Sequence, residues 1–139
     1  MKKKNSVSEF SDQRNRALLQ NFRKALAEQS RASMTKAFKL AADAPAPRFW
    51  VSDTRAAVVI AKMIAGENPT ESMNPEKKEM YKELFRRFLE LRKVRPDESI
   101  GSLVFEVVNQ AAPRSYISPK RAQSIIYKAK ILKRQENEQ

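Results

Sequence analysis

The chain has 139 residues, with 28 Lys and Arg against 16 Asp and Glu, a formal net charge of +12 and a pI near 10.2, yet it is 41% hydrophobic. It has enough apolar residues to fold, and its basic excess points to a polyanionic partner. Cys and His are absent, which excludes zinc fingers, thiolate or Ser-His nucleophiles and the usual haem ligands; Gly66 and Gly101 alone build no phosphate-cradling loop, and no catalysis, metal or cofactor is expected.

In chain order, Lys2 to Lys4 are followed by polar Asn5 to Glu9 rather than by the apolar run of a signal peptide. The longest apolar run, Ala56 to Ala61, stops at Lys62, far short of a membrane span; a cytoplasmic protein is expected. Residues 1–12 read as a loose basic arm. Leu18, Phe22, Ala25 and Leu26 then follow helical spacing, with a break expected near Gln29 to Arg31. A second helix opens at the N-cap Ser33 and buries Met34, Ala37, Phe38 and Ala41. After an extended stretch, a third helix starts at Ser52 with a stripe of Ala56, Val59, Ile60 and Met63, and Gly66 ends it.

Residues 67–74 form a linker, and Asn74-Pro75 is a cap followed by proline at the first helical position. Tyr81, Phe85, Phe88 and Leu89 repeat the first stripe at an offset of 63, until Arg95-Pro96 ends that helix. Ser99 caps a fifth helix with the stripe Ile100, Leu103, Val104 and Val107. Ser118-Pro119 opens the sixth, over 119–134, with Ala122, Ile125, Ile126 and Ala129, and 133–139 read as a frayed tail.

The second half restates the first. Ala46-Pro47-Arg48-Phe49-Trp50-Val51-Ser52 returns 66 residues later as Ala112-Pro113-Arg114-Ser115-Tyr116-Ile117-Ser118. The fold expected is therefore all-α, two tandem three-helix units (13–66 and 75–132) produced by internal duplication. With its two Pro-Arg-aromatic-aromatic-aliphatic-Ser/Thr motifs the chain resembles a family of short, basic, uncharacterised bacterial proteins; the resemblance covers nearly the whole chain and implies no activity. Ser115 departs from it by lacking the first aromatic. The architecture is similar to helix-turn-helix and Myb-like modules, although Ala44 to Val51 is about twice the ~3–4-residue turn of that motif.

This architecture predicts a small accessory or regulatory protein binding double-stranded DNA, of the kind bacteria or phages carry. Lys120, Arg121, Ser124 and Lys128 on the sixth helix suit contact with phosphates and base edges, and Arg14, Arg16, Arg23, Lys24 and Arg31 on the first, with Lys2 to Lys4, are expected to form a second basic surface. Arg48 and Arg114, just before helix starts, are candidates for gripping phosphate; alternatively, each caps the carbonyl end of the preceding helix. Trp50 and Tyr116 are expected to plug the core rather than stack on bases. Lys77, Lys78, Lys82, Arg86 and Arg87 alternate with glutamates at ion-pairing spacing and read as a solvated face. The third helix instead shows Ala57, Val58 and Ala61, which suggests an adaptor that docks a protein partner as the alternative function; RNA is a third possible ligand.

Overall fold

The computed structural model describes residues 6–137, and among them every regular element is helical: α1 (Ser6–Glu28), α2 (Met34–Asp43), α3 (Asp53–Ile64), α4 (Pro75–Val94), α5 (Ile100–Val108) and α6 (Pro119–Asn137). Local chemistry sets the boundaries. The Ser33, Ser52, Asn74, Ser99 and Ser118 side chains each accept the backbone N–H three residues on, satisfying amides that have no intrahelical partner. Between α1 and α2 the Gln29 side chain staples the break: its Nε2 donates to the Ala25 and Ser33 carbonyls, and its Oε1 accepts the Ser33 N–H at 3.0 Å.

Gly66 closes α3 at φ 85, with its N–H on the Met63 carbonyl and the Glu67 N–H on that of Lys62, the paired bonds of a Schellman turn. A Cβ there would meet no atom within 4 Å. Gly66→Ala is therefore expected to cost about 1 kcal/mol through backbone conformation alone, measurable by urea denaturation; an unchanged midpoint would show that the turn relaxes.

Both ends of the chain depart from expectation. Helix α1 extends back to Ser6, so most of the expected loose arm is helical, while residues 1–5 lie outside the described residues. Phe10 anchors this extension: it is 5% exposed, stacks on Trp50 at 6.1 Å and lies under the Arg48 guanidinium. At the other end α6 continues to Asn137. Met34 and Ile100, placed in the apolar stripes by their spacing, are 42% and 36% exposed because they open their helices.

The packing does not follow the chain order of the repeats. Helices α1, α2 and α6 pack on one another, and α3, α4 and α5 do the same. Each repeat thus hands its third helix to the other. One core joins Leu18, Phe22, Phe38 and Ala41 to Ile125 and Ile126 of α6; the other joins Val59 and Ile60 of α3 to Leu84, Phe88, Leu103 and Val104.

The extended Pro-Arg segments carry the exchange. Ala46 and Ala112, equivalent residues of the two repeats, bond reciprocally through N–H and carbonyl at 2.9 and 2.8 Å in an antiparallel bridge. The Phe49 N–H donates to the Val108 carbonyl at the end of α5, and the Ser115 N–H donates to the Ala42 carbonyl near the end of α2. Side chains repeat the reciprocity: Phe49 stacks on Tyr116 at 6.0 Å, and in the equivalent pair Trp50 Nε1 donates to Ser115 Oγ at 3.4 Å. Ser115 thus replaces the missing aromatic with a polar partner for the indole. Tyr116 takes φ 57, in the left-handed region that a bulky residue seldom occupies.

Candidate nucleic-acid interface

The exchange decides where the charge goes. Residues 1–43 and 119–139, the stretches that contain α1, α2 and α6, carry 16 basic and 6 acidic side chains, net +10; residues 44–118 carry 12 and 10, net +2. Packing α6 onto α1 and α2 therefore gathers the described part of this charge, 13 basic and 5 acidic residues in 6–43 and 119–137, net +8, on one three-helix cluster. Arg14 of α1 lies near enough to Arg121 of α6 to feel its charge, and Phe22 lies under the Lys130 ammonium at 4.9 Å, so α1 and α6 run in the same direction.

Of the residues proposed from sequence on α6, Lys120, Arg121 and Lys128 are exposed and Ser124 is half-buried; Gln123, Tyr127 and Arg134 are exposed beside them. Arg121 turns toward a cleft lined also by Arg14. Tyr127 rests edge-on against Phe38 at 5.7 Å. On α1, Arg16, Arg23 and Lys24 are exposed, and Lys24 makes only a loose 4.0 Å contact with Glu28. Among the described residues, Arg16, Arg23, Lys120, Lys128 and Arg134 make no ion pair.

Helix α4 differs. Arg86 bridges Glu83 and Glu90 at 2.7 and 2.9 Å, and Arg87 reaches Glu83 at 2.7 Å. Hydrogen bonding from Arg86, supported by Arg87 against the opposing effect of burial, holds the Glu83 carboxyl down at about 2. These cations are neutralised within their own helix.

Arg48 and Arg114 are engaged internally, and in their bonds to Phe49, Val51, Glu79 and Asp43 neither caps the preceding helix. Arg48 donates to the carbonyls of Phe49 and Val51 at 2.9 and 2.7 Å within its own extended segment. Arg114 donates to Glu79 of α4 at 2.8 Å and Asp43 of α2 at 3.1 Å, tying the two clusters together. Arg114→Ala is expected to lower stability by about 1 kcal/mol, as partly exposed paired charges do, and to leave any nucleic-acid affinity within about twofold. An affinity loss without a stability loss would return Arg114 to the binding face.

Trp50 and Tyr116 are each 9% exposed and belong to the core. On α3, Val58 is 44% exposed and Ala61 is exposed, whereas Ala57 is half-buried and packs against the core. Sequence reasoning set Arg14 on the basic surface of α1 and Lys77 on a solvated face, and underrated Arg55; all three share a cleft with Arg121, and the offsets of 66 and 63, which pair Arg55 with Arg121 and Arg14 with Lys77, were the available signal. Among the described residues no helix is long and apolar enough to cross a membrane, and no cluster of three or more acidic side chains could hold a metal ion. Comparison with protein-family models, curated proteins and solved structures returns no match.

Proposed function

We propose that this chain is a small accessory DNA-binding protein, built from duplicated three-helix units whose third helices are exchanged, that docks on duplex DNA through α1 and α6. The observation that carries the reading is the charge division between the clusters: net +8 over the described residues of the stretches holding α1, α2 and α6, with five of their exposed cations free of carboxylate partners among the described residues. Unpaired Lys and Arg on one surface bind phosphates and release condensed counterions. Lys120, Lys128, Arg134, Arg16 and Arg23 supply this attraction, and Ser124 and Gln123 stand among them on α6 for base-edge contacts.

The adaptor reading draws on Val58 and Ala61, but with Ala57 packed inward the exposed apolar surface there is small, and the basic cluster is the larger feature. Fluorescence anisotropy with duplex DNA, duplex RNA and single strands tests the proposal. With about five phosphate contacts, duplex DNA affinity should fall roughly 500-fold between about 50 and about 200 mM salt. Lys120→Ala with Lys128→Ala should reduce the magnitude of the logarithmic salt slope by about 2, while Lys62→Ala with Lys93→Ala leaves it unchanged. Equal effects of the two pairs would remove α6 from the interface, and preference for duplex RNA would change the ligand.

A further inference from the structure

A cleft of about 510 Å³ opens where the two repeats meet, apart from the outer faces of α1 and α6. Its lining follows the duplication: Ser52 and Arg55 stand with Ser118 and Arg121, their counterparts 66 residues on, and Arg14 stands with Lys77, its counterpart 63 residues on. Four cations reach this one cavity, against a single carboxylate, Glu76. Among the described residues none of the four makes an ion pair. Arg14 has the Asn15 side-chain oxygen at 3.3 to 3.4 Å, and Arg55 engages Tyr81. Burial, and after it the charge of Arg121, pushes the Arg14 guanidinium below its ordinary value.

The positions of these cations are costly without an anion. Arg55, Lys77 and Arg121 are each the third residue of a helix, directly after the capped N-terminus of α3, α4 and α6. The helix dipole makes that end positive, so acidic residues are favoured there and cations are not. Three separate helices bring a cation to this unfavourable position, all lining one cavity. An anion in the cleft converts mutual repulsion into attraction and also meets the positive helix ends.

We propose that the cleft binds a small, multiply charged phosphate ester, a di- or triphosphate of nucleotide size. The cations come from both repeats, so one oxyanion would not span them, whereas a chain of phosphates would. The volume is that of a small-molecule site, which spans about 300–1,000 Å³, and the walls include the buried rings of Phe10, Trp50 and Tyr116, suited to an organic moiety. A DNA duplex, convex and about 20 Å across, does not enter such a cavity. The proposal is independent of DNA binding on the outer faces.

Trp50 is the sole tryptophan and lines the cleft, so its fluorescence reports occupancy. The full chain is titrated with tripolyphosphate, ATP, orthophosphate and adenosine in the absence of DNA. Saturable 1:1 binding of tripolyphosphate or ATP is expected, with orthophosphate and adenosine at least about tenfold weaker. Arg55→Gln with Arg121→Gln should weaken it about tenfold or more, and Lys62→Gln with Lys93→Gln, which removes the same charge elsewhere, should not. Circular dichroism checks that the variants fold, and Lys77→Gln alone gives a second, milder test. No saturable response at millimolar triphosphate, or equal losses in the two double variants, would overturn the proposal. So would competition by duplex DNA for the same Trp50 signal with no small ligand bound, which would make the cleft part of the DNA surface.

Discussion

Cutting the chain between Glu71 and Ser72 is expected to leave neither half able to fold as a monomer, and mixing the halves in equal amounts should restore the native helical signal. The first half contains α1, α2 and α3, but α3 packs on α4 and α5, while the faces of α1 and α2 close on α6. Alone, this half would leave Ala56, Val59 and Ile60, all at most 1% exposed in the whole chain, without their partners. Burying Val59 and Ile60 contributes about 1.5–3 kcal/mol each, a large share of a small domain's stability of about 5–15 kcal/mol. Circular dichroism melts and sedimentation on each half and on the mixture provide the check. A cooperative melt from either half as a monomer would mean that α3 or α6 can fold back on its own repeat. Homodimers of one half would preserve the exchanged packing between identical chains and are compatible with it.

Phe49→Ala is expected to cost about 3–5 kcal/mol, the range for removing a fully buried aromatic ring. Phe49 is 0% exposed, stacks on Tyr116 with the rings 12° from parallel, lies 5.0 Å below the Arg87 guanidinium, and has its N–H on the Val108 carbonyl. The ring therefore sits where the two Pro-Arg segments cross. Its loss leaves a cavity at that crossing and removes the support that holds Tyr116 in its left-handed conformation. Urea denaturation of the intact chain measures the effect; a loss below about 1 kcal/mol would show that the crossing collapses around the gap.

The helices and their limits were legible because the information is local. Ser33, Ser52, Asn74, Ser99 and Ser118 announce their caps, and the break after Glu28 followed from comparison with Arg95-Pro96 in the second repeat. Which core each third helix joins was not legible, and the likeness of the two halves in sequence is the reason. Ala56, Val59 and Ile60 are so like Ala122, Ile125 and Ile126 in size and spacing that either set fits either cleft by pattern alone. The one trace was the length of Ala44 to Val51, too long for a helix-turn-helix turn and explained by the crossover it makes. Phe10 stands seven and eight residues before Ala17 and Leu18, a helical spacing, but the polar stretch 11–16 between them masked the start of α1. The fates of Arg48 and Arg114 depended on which carbonyls and carboxylates folding brought near, and for Arg114 these lie 35 and 71 residues away.

The exchange of third helices also sets an order of events on the ribosome. The core of α3, α4 and α5 can close once Tyr116, the last of its buried residues, has emerged, whereas α1 and α2, which precede it, must wait for α6, which follows it. Through most of synthesis Leu18, Phe22, Phe38 and Ala41 have no lasting cover. Domains whose early segments need late partners carry exposed apolar surface for as long as translation lasts, at roughly 5–20 residues per second. Helices α1 and α2 thus become native after helices that are made later than they are, and a chain released before α6 would present one finished core beside one open one.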